Sequence, residues 1–145
     1  MWRSRLGFTL IEVLLVVAII TLSAAITIPV GAAYLSRSDL SNTTSSVVQS
    51  LRQAQSYAFY SNQDDNWGVR VESGTITIYK GADYATRDSS FDTTIPFRSS
   101  VVVSGDQEVL FTRGSGRTAS PITINLSDGS SSSEINVSRI GVVSQ

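Results

Sequence analysis

The sequence predicts an α+β protein, in which a long amino-terminal helix packs on a small antiparallel β-sheet. Three observations predict it. No charged residue occurs between Glu12 and Arg37, which leaves 24 uncharged positions from Val13 to Ser36. From Leu40 to Ala58 apolar and small residues recur four and three apart, the spacing of one helix face. From Trp67 onward the period changes from helical to two, the signature of half-buried strands.

The apolar run comes first. About 20 apolar residues in a helix span a bilayer, so the run is long enough to anchor the chain. Arg3 and Arg5 precede it and place the amino terminus in the cytoplasm by the positive-inside rule, with everything after Pro29 on the other side of the inner membrane. Glu12 is the anomaly. Ten residues from Val13 to Ile28, at about −0.3 to −0.6 kcal/mol each, outweigh one acid costing about 2.5 to 3.5 kcal/mol. An anchor therefore survives Glu12 without explaining it. A secretory signal peptide, with Val13 to Leu22 as its apolar region and Ser23-Ala24-Ala25 as its cleavage site, leaves Glu12 without a role as well. Pro29 cannot donate to the carbonyl of Ala25 and its ring crowds that turn, so an uninterrupted helix carries about 3 kcal/mol of strain there. The hydroxyls of Thr21, Ser23 and Thr27 can satisfy backbone groups locally.

Beyond Pro29 the stripe of Leu40, Thr44, Val47, Leu51, Ala54 and Ala58 faces a core, and Ser41, Ser45, Arg52 and Gln55 occupy the opposite face. Phe8 to about Tyr60 thus reads as one long helix, kinked near Pro29, of roughly 80 Å at about 1.5 Å per residue. Trp67, Val69 and Val71 alternate with Gly68, Arg70 and Glu72; after Ser73-Gly74 the alternation resumes at Ile76 and Ile78, a two-residue hairpin signal. Val101 to Val103, Val109 to Phe111, Ile122 to Leu126 and Ile135 to Val143 repeat the pattern. Gly114-Ser115-Gly116 and Asp128 to Ser133 separate them as turns. The total is five to seven antiparallel strands. A sheet this small must close its apolar face on the Leu40 to Ala58 stripe.

Composition excludes much chemistry. The 145 residues include no cysteine and no histidine, so thiolate or imidazole metal sites, disulfides, cysteine nucleophiles and histidine bases are absent. The only lysine is Lys80, so no serine has a plausible base. The reading is of a non-enzyme with no cofactor and no metal site.

Gly7-Phe8-Thr9-Leu10-Ile11-Glu12, between a short basic leader and a long apolar helix, resembles the class III signal of type IV prepilins and type II secretion pseudopilins. The resemblance implies that a prepilin peptidase and methyltransferase cuts between Gly7 and Phe8 and methylates the new terminus, giving N-methyl-Phe8. It implies a type IV pilin-like fold and no catalysis by the subunit itself. It also gives Glu12 a purpose, pairing with the terminal ammonium of a neighbouring subunit. An unpaired charge in the bilayer is expensive, and docking beside an opposite charge relieves it. Pro29 falls 21 positions after Phe8, where pilins commonly interrupt the helix. The implied divisions are a leader at 1–7, a transmembrane and filament-core helix at 8–36, an amphipathic helix half at 37–61, and a sheet region at 62–145. Loss of the leader leaves 9 of the 11 basic side chains against 12 acidic ones. Leu51 to Ala58, the strand near Trp67, Phe111 with the Gly114 to Arg117 loop, Ile122-Thr123-Ile124 and Val137 to Val143 are similar to the H-type minor pseudopilins, the GspH and FimT family. The partners implied are other pilins or pseudopilins in a filament of a pilus or pseudopilus.

Some H-type members bind DNA, so Arg113, Arg117 and Arg139 are candidate nucleic-acid contacts. Three arginines are few, and with Asp128 and Glu134 close in sequence an ordinary solvated surface is the competing reading. Asp64-Asp65-Asn66 offers oxygens to calcium but lacks the closing bidentate acid of a dedicated site, and reads first as a helix-terminating turn. Ser130 to Ser133 reads as a loop tip, Trp67 as a core anchor. The N-x-Ser/Thr patterns at Asn42, Asn125 and Asn136 carry no assigned role.

Overall fold

The structure, a computed structural model, describes residues 7–145, with the backbone alone for residues 25–37. Arg3, Arg5 and the rest of the expected leader up to residue 6 lie outside the described residues, as do the ring of Pro29 and the side chain of Thr27. The chain divides into two compact units, one ending at Leu35 and one running Ser36–Gln145.

Helix α1 is assigned from Leu10 to Phe59. In the first unit its described apolar side chains are exposed on every side, from Val16 at 49 % to Leu10 at 80 %. A helix apolar all round is one that another apolar medium must cover. The Thr21 hydroxyl donates to the carbonyls of Val17 (3.0 Å) and Ala18 (2.9 Å), and Ser23 to that of Ile19 (2.8 Å), so these polar groups are satisfied within the helix. Among the described residues no helix is long and apolar enough to cross a membrane. The described side chains of the apolar run stop at residue 24, and its continuation to Ser36 lies outside them. The backbone is assigned helical straight through position 29, where the sequence predicts an interruption. A missing N–H removes one bond of the ladder while the bonds on either side remain.

In the second unit the predicted stripe is buried: Leu40, Thr44, Val47, Leu51, Ala54 and Ala58 all face inward. Ser41, Ser45 and Arg52 are exposed as expected, whereas Gln55 is half-buried. Eight strands follow, not five to seven, and they form two sheets of four rather than one. They are β1 (Trp67–Glu72), β2 (Thr75–Lys80), β3 (Asp88–Pro96), β4 (Val102–Gly105), β5 (Glu108–Phe111), β6 (Ile122–Ser127), β7 (Ser132–Val137) and β8 (Val143–Ser144). The first sheet has the order β3-β2-β1-β5 and the second β4-β6-β7-β8, with every pairing antiparallel. The β1–β2 hairpin turns at Ser73-Gly74, where Gly74 adopts a φ of 87°, a conformation glycine takes without steric penalty.

Two departures have physical causes. Strand β3 escapes the sequence pattern because it is an edge strand with only Phe91, Asp92 and Ile95 half-buried, so no alternation marks it. The predicted run Ile135 to Val143 is two strands, divided by a turn whose Gly141 has a φ of 88°. The serine tip is also shorter than expected: Ser132 and Ser133 belong to β7, paired with Ser127 and Leu126. One hydrophobic core joins the helix stripe to inward residues of both sheets, among them Val69, Ile78, Phe111, Ile124, Leu126 and Ile135. Trp67 anchors its edge at 4 % exposure, its ring 4.7 Å from that of Tyr57 and its indole N–H donating to the Asn62 carbonyl at 2.8 Å.

On the outer face of the first sheet, Tyr79 lies across Gly68, where a Cβ would overlap the ring. Its hydroxyl donates to Glu108 Oε1 at 2.6 Å, and Arg70 Nη1 meets Glu108 Oε2 at 3.2 Å. The Tyr84 N–H donates to the same Oε1 at 3.0 Å, which ties the loop after β2 down over this face. Burial, and then the bond to Glu108, push the Tyr79 hydroxyl well above the usual tyrosine range.

Candidate functional site

Two places combine the predicted site residues with unusual exposure. The first is the start of α1. Gly7, Phe8 and Thr9 precede the helix and are exposed, Phe8 at 82 %. A Cβ built on Gly7 would meet nothing within 4 Å. Thr9 is the N-cap: its carbonyl accepts from the N–H groups of Glu12 (3.1 Å) and Val13 (3.3 Å), and its Oγ1 lies 3.4 Å from the Glu12 nitrogen, accepting from that N–H. Glu12 therefore sits at the third helical position, where orphan N–H groups and the positive end of the helix favour a carboxylate. Phe8, Thr9, Leu10, Val13, Leu14 and Val17 line an apolar groove of about 480 Å³.

The second place is the far end of the helix. The Ala58 carbonyl accepts from the Ser61 N–H at 3.1 Å in the last turn and also from the Gly114 N–H at 2.8 Å, and Gln55 Nε2 donates to the Gly116 carbonyl at 3.2 Å. The loop closes on itself through Thr112 N–H to the Arg117 carbonyl (2.8 Å) and joins the β7–β8 turn through Thr118 N–H to the Arg139 carbonyl (3.2 Å). Gly141 completes the junction: a side chain there would overlap both Gln55 Nε2 and the Gly116 carbonyl. The helix end, the Gly114 to Arg117 loop and the Val137 to Val143 segment, far apart in sequence, thus meet at one point. Sequence periodicity assigns Gln55 to solvent and misses its role. The signal available was the pair of glycines beside the two arginines.

Arg117 and Arg139 are exposed, and the Arg139 carbonyl accepts from the N–H of Thr118, the residue after Arg117. Arg113 is not part of a free cationic patch. Its Nη1 lies 2.7 Å from Asp64 Oδ1, and its backbone N–H donates to Asn66 Oδ1 at 2.9 Å. Asp65 Oδ1 accepts from the Asn66 N–H at 2.7 Å, so all three residues of Asp64-Asp65-Asn66 have oxygens engaged in the turn that ends the helix, with Ser61, Gln63 and Asp64 at positive φ. Among the described residues no group of carboxylates could hold a metal ion. Around the junction Phe59 (55 %), Tyr60 (79 %), Ile140 (60 %) and Val142 (56 %) expose apolar surface. Gln55, Ser56, Phe59 and Tyr60 line a groove of about 200 Å³.

No curated protein and no solved structure matches the chain. Residues 2–28 match the family model of the prokaryotic N-terminal methylation motif. With an α+β architecture consistent with a type IV pilin fold, that match supports a type IV prepilin-like protein, processed by a prepilin peptidase and assembled with other pilins.

Proposed function

We propose that the chain is a structural filament subunit of a type II secretion pseudopilus or a type IV pilus, and within that class an H-type minor subunit. In this reading the leader ends at Gly7, Phe8 becomes the N-methylated first residue, and the apolar helix holds the chain in the inner membrane with the sheets outside the cytoplasm. Polymerisation then moves that helix from lipid into the filament core. The observation that carries it is the methylation motif over residues 2–28 joined to a helix whose described apolar side chains in the first unit are exposed all round. Either lipid or neighbouring helices must cover such a surface. Glu12 makes the choice of neighbour specific, because the ammonium freed on another copy neutralises it.

Amino-terminal mass spectrometry of the purified chain tests this. N-methyl-Phe8 at the terminus is expected; a start near Ile26 would establish a secreted domain instead, and retention of residues 1–7 in a host with an active prepilin peptidase would overturn the reading.

A second reading, capture of DNA or a secreted substrate at the filament tip, is favoured by one observation. Arg117 and Arg139 are both exposed, and the Arg139 carbonyl accepts from the N–H of Thr118, next to Arg117, at the junction where Phe59 and Tyr60 expose their rings; cations and aromatic faces on one surface suit single-stranded nucleic acid. Reversing both charges separates the readings: a lost, salt-sensitive DNA affinity with assembly intact supports the second.

A further inference from the structure

The start of α1 carries more than a cleavage motif. Phe8, Thr9, Glu12 and Val13 stand at the positions before the cap, at the cap, and third and fourth in the helix. A polar cap with an acid three residues on, framed by apolar residues one before and four after, is the pattern of a capping box with a hydrophobic staple. Thr9 Oγ1 faces the Glu12 N–H, and Phe8 and Val13 line the same groove. These contacts set where the helix begins. The bond between Gly7 and Phe8 lies just beyond, in exposed, non-helical chain with open space around Gly7.

We propose that Thr9 is a positioning residue for processing: its cap ends α1 at Leu10 and so keeps the Gly7–Phe8 bond in backbone that a peptidase can engage. The inference rests on the processing reading above. Hydrolysis breaks the bond between the Gly7 carbonyl carbon and the Phe8 nitrogen, water supplying hydroxyl to the carbon and a proton to the nitrogen. The products are a Gly7 carboxylate and a Phe8 ammonium. Were the helix one turn longer, the Gly7 carbonyl would accept the Ile11 N–H, and the turn would shield the carbon from attack. In an apolar medium the pressure to lengthen is strong, because N–H groups left without a cap find no water there. The Thr9 hydroxyl relieves that pressure at the right residue, and Gly7, a poor helix former, opposes further extension.

The test uses the full chain in lipid vesicles with a purified prepilin peptidase, following release of the 1–7 peptide by mass spectrometry. Thr9→Val keeps the side-chain shape and removes the cap; Thr9→Ser keeps the cap and removes the methyl. Release from Thr9→Val is expected to slow roughly fivefold, the factor that a cap of about 1 kcal/mol represents, with Thr9→Ser restored to the wild-type rate. Carbonyl chemical shifts at Gly7 and Phe8 are expected to turn helical in Thr9→Val only. Equal rates for wild type and Thr9→Val, or a slow Thr9→Ser, would overturn the cap while leaving the processing reading intact. No release from the wild-type chain would overturn both.

Discussion

Gly141→Ala probes whether the junction at the helix end is a rigid clamp. Two costs apply there. The φ of 88° costs a residue with a Cβ about 1 to 2 kcal/mol. The new methyl would also overlap the Gly116 carbonyl and the amide end of Gln55. A flexible glutamine can swing away, with loss of a hydrogen bond worth about 1 kcal/mol, but a backbone carbonyl cannot, and overpacking of this kind costs about 1 to 3 kcal/mol. Gly129→Ala is the matched control: its φ is 86°, yet nothing lies within 4 Å of the added carbon. It should lose about 1 to 2 kcal/mol, against about 4 kcal/mol for Gly141→Ala. For a unit of this size, that is a fall in Tm of roughly 5 °C for the control and roughly 15 °C for Gly141→Ala. Thermal unfolding of the full chain in detergent, followed by near-ultraviolet circular dichroism, measures both. Equal losses would refute the clamp, because conformational strain alone would then account for the effect.

Other outcomes follow from the same geometry. Leu51→Ala, at a fully buried position of the stripe, should cost about 2 to 5 kcal/mol in chemical denaturation with little change in the denaturant slope. Tyr79 keeps its proton in the folded state above the ordinary value of 10.0, so the stability it confers is complete below pH 10 and is lost as pH rises further. The expected slope is up to about 1.4 kcal/mol per pH unit, and Tyr79→Phe should remove that contribution from the stability profile. Glu12→Ala should leave membrane insertion intact, since it removes a cost, and abolish incorporation into filaments; normal incorporation on immunogold labelling would defeat the pairing argument.

What could be read without coordinates was whatever depends on local period and local chemistry. The stripe from Leu40 to Ala58 is buried as its spacing implies, the Trp67 to Ile78 hairpin turns at Ser73-Gly74, and Gly7-Phe8 with Glu12 stands out because a charge beside an apolar run requires a reason. Side-chain direction follows from sequence position within a helix or strand, so these features needed no knowledge of neighbours. What the tertiary structure decided depends on residues distant in sequence. The division of the strands between two sheets, the polar edge strand β3 and the burial of Gln55 against Gly116 and Gly141 have no local signature. Nor does the sorting of the arginines, since Arg113 pairs with Asp64 across the fold while the Arg139 carbonyl is bonded to Thr118, next to Arg117. Pairing between strands and across loops is fixed by closure of the chain around a common core, and a linear pattern records which face a residue shows without recording what it meets there.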